Sequence, residues 1–203
     1  MIYFKNIRWK NFLSTGNVFT EVKLDKAKST LIIGDNGAGK STILDALTFG
    51  LFGKPFRNVN KSQLVNSVNG GGTVVEIDFS IGPKDYVIKR GIKKNFFEIW
   101  LDGSMMNQDA SVRDYQELLE KNILKLNYKS FTQIVILGSS SFVPFMQLKT
   151  ADRRAIIEDL LDIEIFSVMN QLLKSRVAQN KDDMGSVDIR LGLAKGEIEH
   201  LEF

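Results

Sequence analysis

The residues most able to do chemistry are Gly34-Asp35-Asn36-Gly37-Ala38-Gly39-Lys40-Ser41, which fit G-x-x-x-x-G-K-[ST] at every constrained position. Their types suit gripping a polyphosphate. Glycines let the backbone curl so that successive N–H groups point at phosphate oxygens, in a concavity that side chains would obstruct. Lys40 offers a point charge to the β- and γ-phosphates and is the catalytic residue of the motif, while the Ser41 hydroxyl is an oxygen ligand for Mg²⁺. Thr42 is placed to reach the α-phosphate. Gly34, Asn36, Gly37, Ala38, Gly39, Lys40, Ser41 and Thr42 are therefore the expected binding residues for ATP with Mg²⁺. Asn180-Lys181-Asp182-Asp183 reads like the guanine-selecting N-K-x-D motif. It has no strand before it and lies in a helical repeat, which favours ATP over GTP.

Such a loop works only between a strand and a helix. Thr30-Leu31-Ile32-Ile33 is a short run rich in β-branched residues, expected as a buried strand leading in. A helix from Lys40 to about Phe52 should lead out, with Ile43, Leu44, Leu47 and Leu51 on one face and a stop at Gly53-Lys54-Pro55. Its N-terminal dipole end would face the phosphates. Residues 2–9 and 17–24 alternate as half-buried strands, and Thr73–Ser80, Asp85–Arg90 and Phe96–Leu101 follow with tight turns between them. Tight turns imply an antiparallel sheet beside the nucleotide core. Ser111 should cap a helix running to about Leu124, with Asp114 placed for a capping box.

From Phe166 the pattern changes. Phe166, Asn170, Leu173, Val177, Asn180, Met184, Val187, Leu191, Ala194, Ile198 and Leu201 are spaced alternately four and three residues apart. Nine of the eleven are apolar, a sustained 3.5-residue period that predicts a coiled-coil seam. A helix of that length reaches roughly 54 Å, further than one small domain can cover. The expected domains are a nucleotide lobe over 1–162 and the start of a coiled-coil arm over 163–203.

Composition sets the outer limits. With 203 residues, 43% hydrophobic and 25% charged, the chain can bury a core and reads as a cytoplasmic α/β protein. No apolar run approaches the ~18 residues that span a bilayer, so no membrane partner is expected. The absence of cysteine removes disulfides and thiolate zinc sites. Net charge is +3, yet residues 1–61 hold ten Lys/Arg against four Asp/Glu, which permits anionic partners there.

What hydrolysis needs beyond the loop is harder to find. One carboxylate should hold Mg²⁺ and another activate water, at the end of a hydrophobic strand. No four-residue apolar run followed by Asp-Glu occurs after residue 42. Leu193-Ala194-Lys195-Gly196-Glu197 is a faint L-S-G-G-[EQ] signature that lacks its Ser and falls in the seam, as does the lone histidine, His200. The expectation is a lobe whose catalytic site is completed from elsewhere, so the segment alone should be nearly inactive.

Trp9-Lys10-Asn11-Phe12, the phosphate loop, Leu44–Gly53 and the Phe131–Phe166 stretch together resemble the SMC-like ABC ATPases. Within them the chain is most similar to the SbcC-type ATPase subunit of double-strand-break repair nucleases, and Asp152–Leu161 resembles that family's entry into the coiled coil. The resemblance implies an α/β fold: the N-terminal lobe of an ABC-type P-loop ATPase head with an antiparallel β subdomain, running into a coiled-coil helix. Two departures stand out. The family's γ-phosphate-sensing Gln is Ser139 in an ungapped reading; Gln133 is the alternative metal-site residue, though its setting reads as a strand. Relatives often carry an Arg where this chain has Leu13, which leaves Ser14 and Thr15 as the loop's phosphate candidates.

The resemblance further implies ATP sandwiched between two self-associating heads, a metal-dependent nuclease partner at the coiled-coil base, and double-stranded DNA across the heads. The setting would be the cytoplasm of a bacterium or a phage-infected host. Lys54, Arg57, Lys61, Lys93 and Lys94 are the basic residues nominated for DNA phosphates. The competing function is an SMC-class ATPase that tethers DNA without a nuclease. A transporter ATPase is disfavoured because neither signature nor acidic strand precedes the heptads.

Overall fold

The computed structural model describes residues 1–106, 112–137, 143–161 and 163–201. The chain divides into two units, 1–156 and 157–203. The division expected at residue 162 falls inside the second.

The first unit is built on a six-stranded antiparallel sheet among the described residues, in the order β2-β1-β3-β4-β5-β6. Its strands are β1 (Ile2–Lys10), β2 (Thr20–Lys23), β3 (Thr73–Ile81), β4 (Lys84–Ile92), β5 (Phe96–Leu101) and the short β6 (Ser104–Met105). Alternation decides the faces. Ile7, Trp9, Val75, Ile77, Phe79, Ile88 and Ile99 turn inward and are buried. On the other face the register sets Glu21, Arg8, Glu76, Lys89 and Glu98 in one row across five strands. Opposite charges at directly paired positions stabilise that register and penalise a slip. Arg8 Nε donates to Glu76 Oε2 at 2.7 Å within this row.

Helix α1 (Thr42–Phe52) packs on the inner face of the sheet. Its buried residues include Asp45, Ala46, Thr48, Phe49, Leu51 and Phe52. Of the face expected from spacing, Leu51 is buried and Ile43, Leu44 and Leu47 are half-buried. Gly50 lies so close to β3 that a Cβ there would stand 2.4 Å from Ile77 Cδ1. The helix ends at Gly53, whose φ of 70° is the left-handed C-cap that glycine adopts freely.

The last carbonyls of α1 are not left to water. Arg90 Nε donates to Gly50 O at 3.0 Å, and Gln116 Nε2 donates to Leu51 O at 3.0 Å. Arg90 also donates to Gln116 Oε1 at 2.6 Å and stacks 3.7 Å over the Phe97 ring. Burial pulls its pKa down to about 10, so it stays charged at neutral pH. A buried cation therefore sits at the negative end of the helix whose positive end carries the phosphate loop.

Two expected strands do not form. Thr30–Ile33 pairs with no strand among the described residues, and Leu31 and Ile33 are 83% and 84% exposed. A strand needs a neighbour for its N–H and C=O groups, and β-propensity alone does not supply one. Gln133, expected on a strand, lies on helix α3 (Tyr128–Ile134). Asn127 caps that helix, its side chain accepting from Ser130 N at 2.9 Å, and Phe131 anchors it against Phe4 and Phe52. The predicted helix through Leu124 is α2 (Val112–Glu117) continued by a π-helical stretch, Leu118–Leu124. The expected cap, Ser111, lies outside the described residues.

Helix α4 (Thr150–Leu160) follows. In the second unit α5 (Glu164–Leu201) runs as one helix of 38 residues, about 57 Å long. Its seam residues Phe166, Leu173, Val177, Met184, Val187, Leu191, Ile198 and Leu201 are all exposed.

Candidate functional site

The phosphate loop has the curled form its residues predict. Gly37 and Gly39 have φ of 89° and 91°, which L side chains rarely adopt. Ala38 N donates to Asp35 O at 3.2 Å and Thr42 N to Gly39 O at 3.0 Å, closing two turns into the start of α1. Lys40 folds over its own loop, its Nζ donating to Gly34 O at 2.5 Å and Asp35 O at 2.7 Å. The ammonium thus stands above the concavity, held by carbonyls that an anion can replace. Ser41 occupies the N-cap position but makes no capping bond through its hydroxyl.

A cleft of about 580 Å³ opens over this loop. Asn36, Gly37, Gly39, Lys40, Ser41 and Thr42 line its floor; Leu13, Ser14, Arg57, Gln63, Val65 and Ser67 also line it. The structure therefore brings Ser14 to the expected place beside the motif. Thr15 faces its own turn instead, its hydroxyl donating to Phe12 O at 2.6 Å. Gly34 and Ala38 shape the loop without lining the cleft; a Cβ on Gly34 would lie 3.2 Å from that of Ala38.

Leu13 and Ser14 are carried by a short loop after β1. Leu13 has a φ of 54°, a left-handed conformation costing roughly 1–2 kcal/mol for such a side chain. Neighbouring bonds hold it there: Leu13 N donates to Leu64 O at 2.7 Å, and Asn66 Nδ2 donates to Leu13 O at 3.0 Å. Beside this loop, and bonded to it through Leu64 O, lie the 3₁₀ turn Lys61–Leu64 and the residues after it, which also line the cleft. Gln63 Oε1 accepts from Asn60 N at 2.9 Å, fixing the side chain that lines the cleft.

Arg57, nominated for DNA, is tied to the phosphate-loop helix. Its Nε donates to Asp45 Oδ2 at 2.7 Å and its backbone N to Asp45 Oδ1 at 2.9 Å. Asp45 is fully buried on α1, one turn beyond Ser41, while the Arg57 side chain is half exposed at the cleft. Among the other nominees, Lys93 donates to Gly70 O at 2.6 Å and Lys54 lies 5.9 Å over the Tyr128 ring. Lys61 and Lys94 are exposed. Gln133 does not line the cleft, and its Oε1 is buried without a partner among the described residues. Ser139 lies outside the described residues.

The donor set fits the magnesium that a triphosphate carries. The chain offers one hydroxyl oxygen at Ser41, and Mg²⁺ habitually takes one or two protein oxygens with phosphates and waters completing an octahedron.

The profile of the family described as "AAA domain" matches residues 6–201. The chain belongs to the AAA domain family. Among its relatives, "Exonuclease subunit 2" of Escherichia phage RB69 is 47% identical over 173 residues, covering 85% of this chain and 31% of that protein. The protein of the same name from Enterobacteria phage T4 is 46% identical, covering 84% and 30%. The "DNA double-strand break repair Rad50 ATPase" of Thermoplasma acidophilum is 29% identical over 188 residues, covering 90% of this chain and 20% of its own length. The chain thus spans less than a third of the phage relatives it matches. These relatives agree with the resemblance drawn from Trp9–Phe12, the phosphate loop and Asp152–Leu161. The fold of this AAA domain is that of an SMC-type head. A Pyrococcus yayanosii Smc head domain with a coiled coil and joint superposes with a TM-score of 0.55 at 21% identity, covering all of this chain and 40% of that one.

Gln63, Val65 and Ser67 are cleft residues that motif reading missed. They carry no spacing signal, because they reach the cleft through a turn more than twenty residues after the phosphate loop.

Proposed function

We propose that this AAA domain binds Mg·ATP and forms the N-terminal half of an ATPase head in a DNA-repair or recombination nuclease complex. One observation carries the reading: an open glycine loop whose lysine is held by its own loop's carbonyls, at the N-terminus of a helix clamped at its other end. Binding transfers Lys40 from Gly34 and Asp35 to the β- and γ-phosphates, while loop N–H groups and the dipole of α1 take the remaining charge. Ser41 would hold the magnesium, which neutralises charge developing on the phosphates. Leu13 and Val65, with Gln63 and Ser67, supply apolar and polar surface for the nucleoside beyond the phosphates.

Hydrolysis needs carboxylates, and none lines this cleft among the described residues. The exposed Leu31-Ile32-Ile33 run supports a second lobe that adds strands beside it and brings those carboxylates. The exposed seam of α5 supports a returning coiled-coil helix joining the lobes. In such a head nucleotide draws two subunits together, and DNA and a metal-dependent nuclease are the partners. That DNA would place the complex in the cytoplasm of a bacterium or phage-infected host.

The test compares residues 1–203 with the intact protein. The segment should bind ATP weakly and hydrolyse it negligibly, whereas the intact protein turns it over. Brisk turnover by the segment would sink the split-site reading. Failure of any nuclease to co-purify with the intact protein would favour DNA tethering instead.

A further inference from the structure

We propose that Asn66 is a positioning residue for the nucleoside side of the cleft, locking the loop of Leu13–Thr15 onto the neighbouring turn that carries Val65 and Ser67. The inference rests on the nucleotide-binding reading above. Asn66 is 7% exposed, and every hydrogen-bonding capacity of its amide is used. Its Nδ2 donates to Leu13 O at 3.0 Å and to Thr15 O at 3.1 Å. Its Oδ1 accepts from Val68 N at 3.0 Å and Asn69 N at 2.9 Å. Its backbone N donates to Asn11 O at 3.0 Å. The amide nitrogen therefore holds the loop that presents Leu13 and Ser14, and the amide oxygen closes the turn Asn66–Asn69 that follows Val65 and contains Ser67.

The arrangement is reinforced around it. Asn69 Nδ2 donates to Asn11 Oδ1 at 2.7 Å, and Thr73 Oγ1 donates to Asn11 O at 2.7 Å. Asn11 has a φ of 51°, so both residues that turn the loop toward the cleft, Asn11 and Leu13, hold left-handed backbones that this network fixes. None of these bonds touches residues 34–41. Asn66 therefore shapes this side of the cleft without bonding the phosphate loop, and the two parts of the cleft are separable by experiment.

Asn66→Asp selectively removes the bonds to the Leu13–Thr15 loop. Its carboxylate still accepts from Val68 N and Asn69 N but cannot donate to Leu13 O or Thr15 O. In the intact protein, affinity should be measured for Mg·ATP and for magnesium tripolyphosphate, which has phosphates but no nucleoside. Asn66→Asp loses both donated bonds and should weaken Mg·ATP at least about tenfold, while tripolyphosphate, which meets this loop only at Ser14, should weaken by much less. Asn69→Ala, at an exposed position, removes only the bond to Asn11 Oδ1 and should give a smaller loss with the same selectivity. Lys40→Ala should lose both ligands. Variants that bind both ligands like the wild type overturn the proposal, as does Asn66→Asp losing both while folded. A wild-type protein that binds neither ligand overturns the nucleotide reading and this inference with it.

Discussion

The Arg57 guanidinium and main-chain N–H grip the two carboxylate oxygens of Asp45 separately, at 2.7 and 2.9 Å, joining the cleft rim to the buried side of the phosphate-loop helix. Asp45 has no exposed side-chain surface, and Arg57 is the cation that pairs with it. Arg57→Ala should destabilise the lobe by about 3 kcal/mol, because it leaves a buried carboxylate without its cation. Arg57→Ala combined with Asp45→Asn should recover much of that loss. Urea denaturation of the four-membered cycle checks it; additive effects would show that the pair is uncoupled.

Arg90 acts at the other end of α1. Arg90→Met keeps an apolar stem against Phe97 but leaves the Gly50 carbonyl without its donor. The expected loss is about 2–3 kcal/mol, from an unsatisfied buried carbonyl and a lost charge at the helix C-terminus. Gln116→Leu should cost less, since Arg90 remains. Equal losses in both variants would place the clamp in Gln116 instead.

The exposed apolar run yields a contrast between segment and intact protein. Leu31→Glu with Ile33→Glu should alter the stability of residues 1–203 by no more than about 0.5 kcal/mol, since both side chains already face solvent. The same pair should abolish ATP hydrolysis by the intact protein, where the run is proposed to be covered. Undiminished hydrolysis would show that no second lobe docks there.

What the sequence made legible follows from the range of each interaction. The phosphate loop, α1, the hairpins and the long α5 announce themselves through local spacing, and each formed where expected. Thr30–Ile33 has strand chemistry but no pairing partner among the described residues, and local propensity cannot report a missing neighbour. Gln133 reads as strand from Ile134-Val135-Ile136, yet the Asn127 cap and the burial of Phe131 make the segment helical. The Asn66 bracket joins backbone groups more than fifty positions away, so no periodicity marks it. Arg57 is one basic residue among several in the sequence, and only its distance to Asp45 sets it apart.

For DNA, we propose Lys61 and Lys94 as the first of the five nominees to test, since both are exposed while Arg57, Lys93 and Lys54 also make contacts within the lobe. Lys61→Glu with Lys94→Glu in the intact protein should weaken duplex binding across all sequences. The slope of log affinity against log salt should become shallower by about 0.9 for each phosphate contact removed. An unchanged slope would take both residues off the DNA surface.

The decisive measurement is a calorimetric titration of the intact protein with Mg·ATP, for the wild type and for Lys40→Ala. Lys40 is exposed and bonds its own loop's carbonyls, so its removal should leave the melting temperature unaltered. The account predicts saturable binding by the wild type and none by the variant. Equal binding by the two, or none by either, would contradict it.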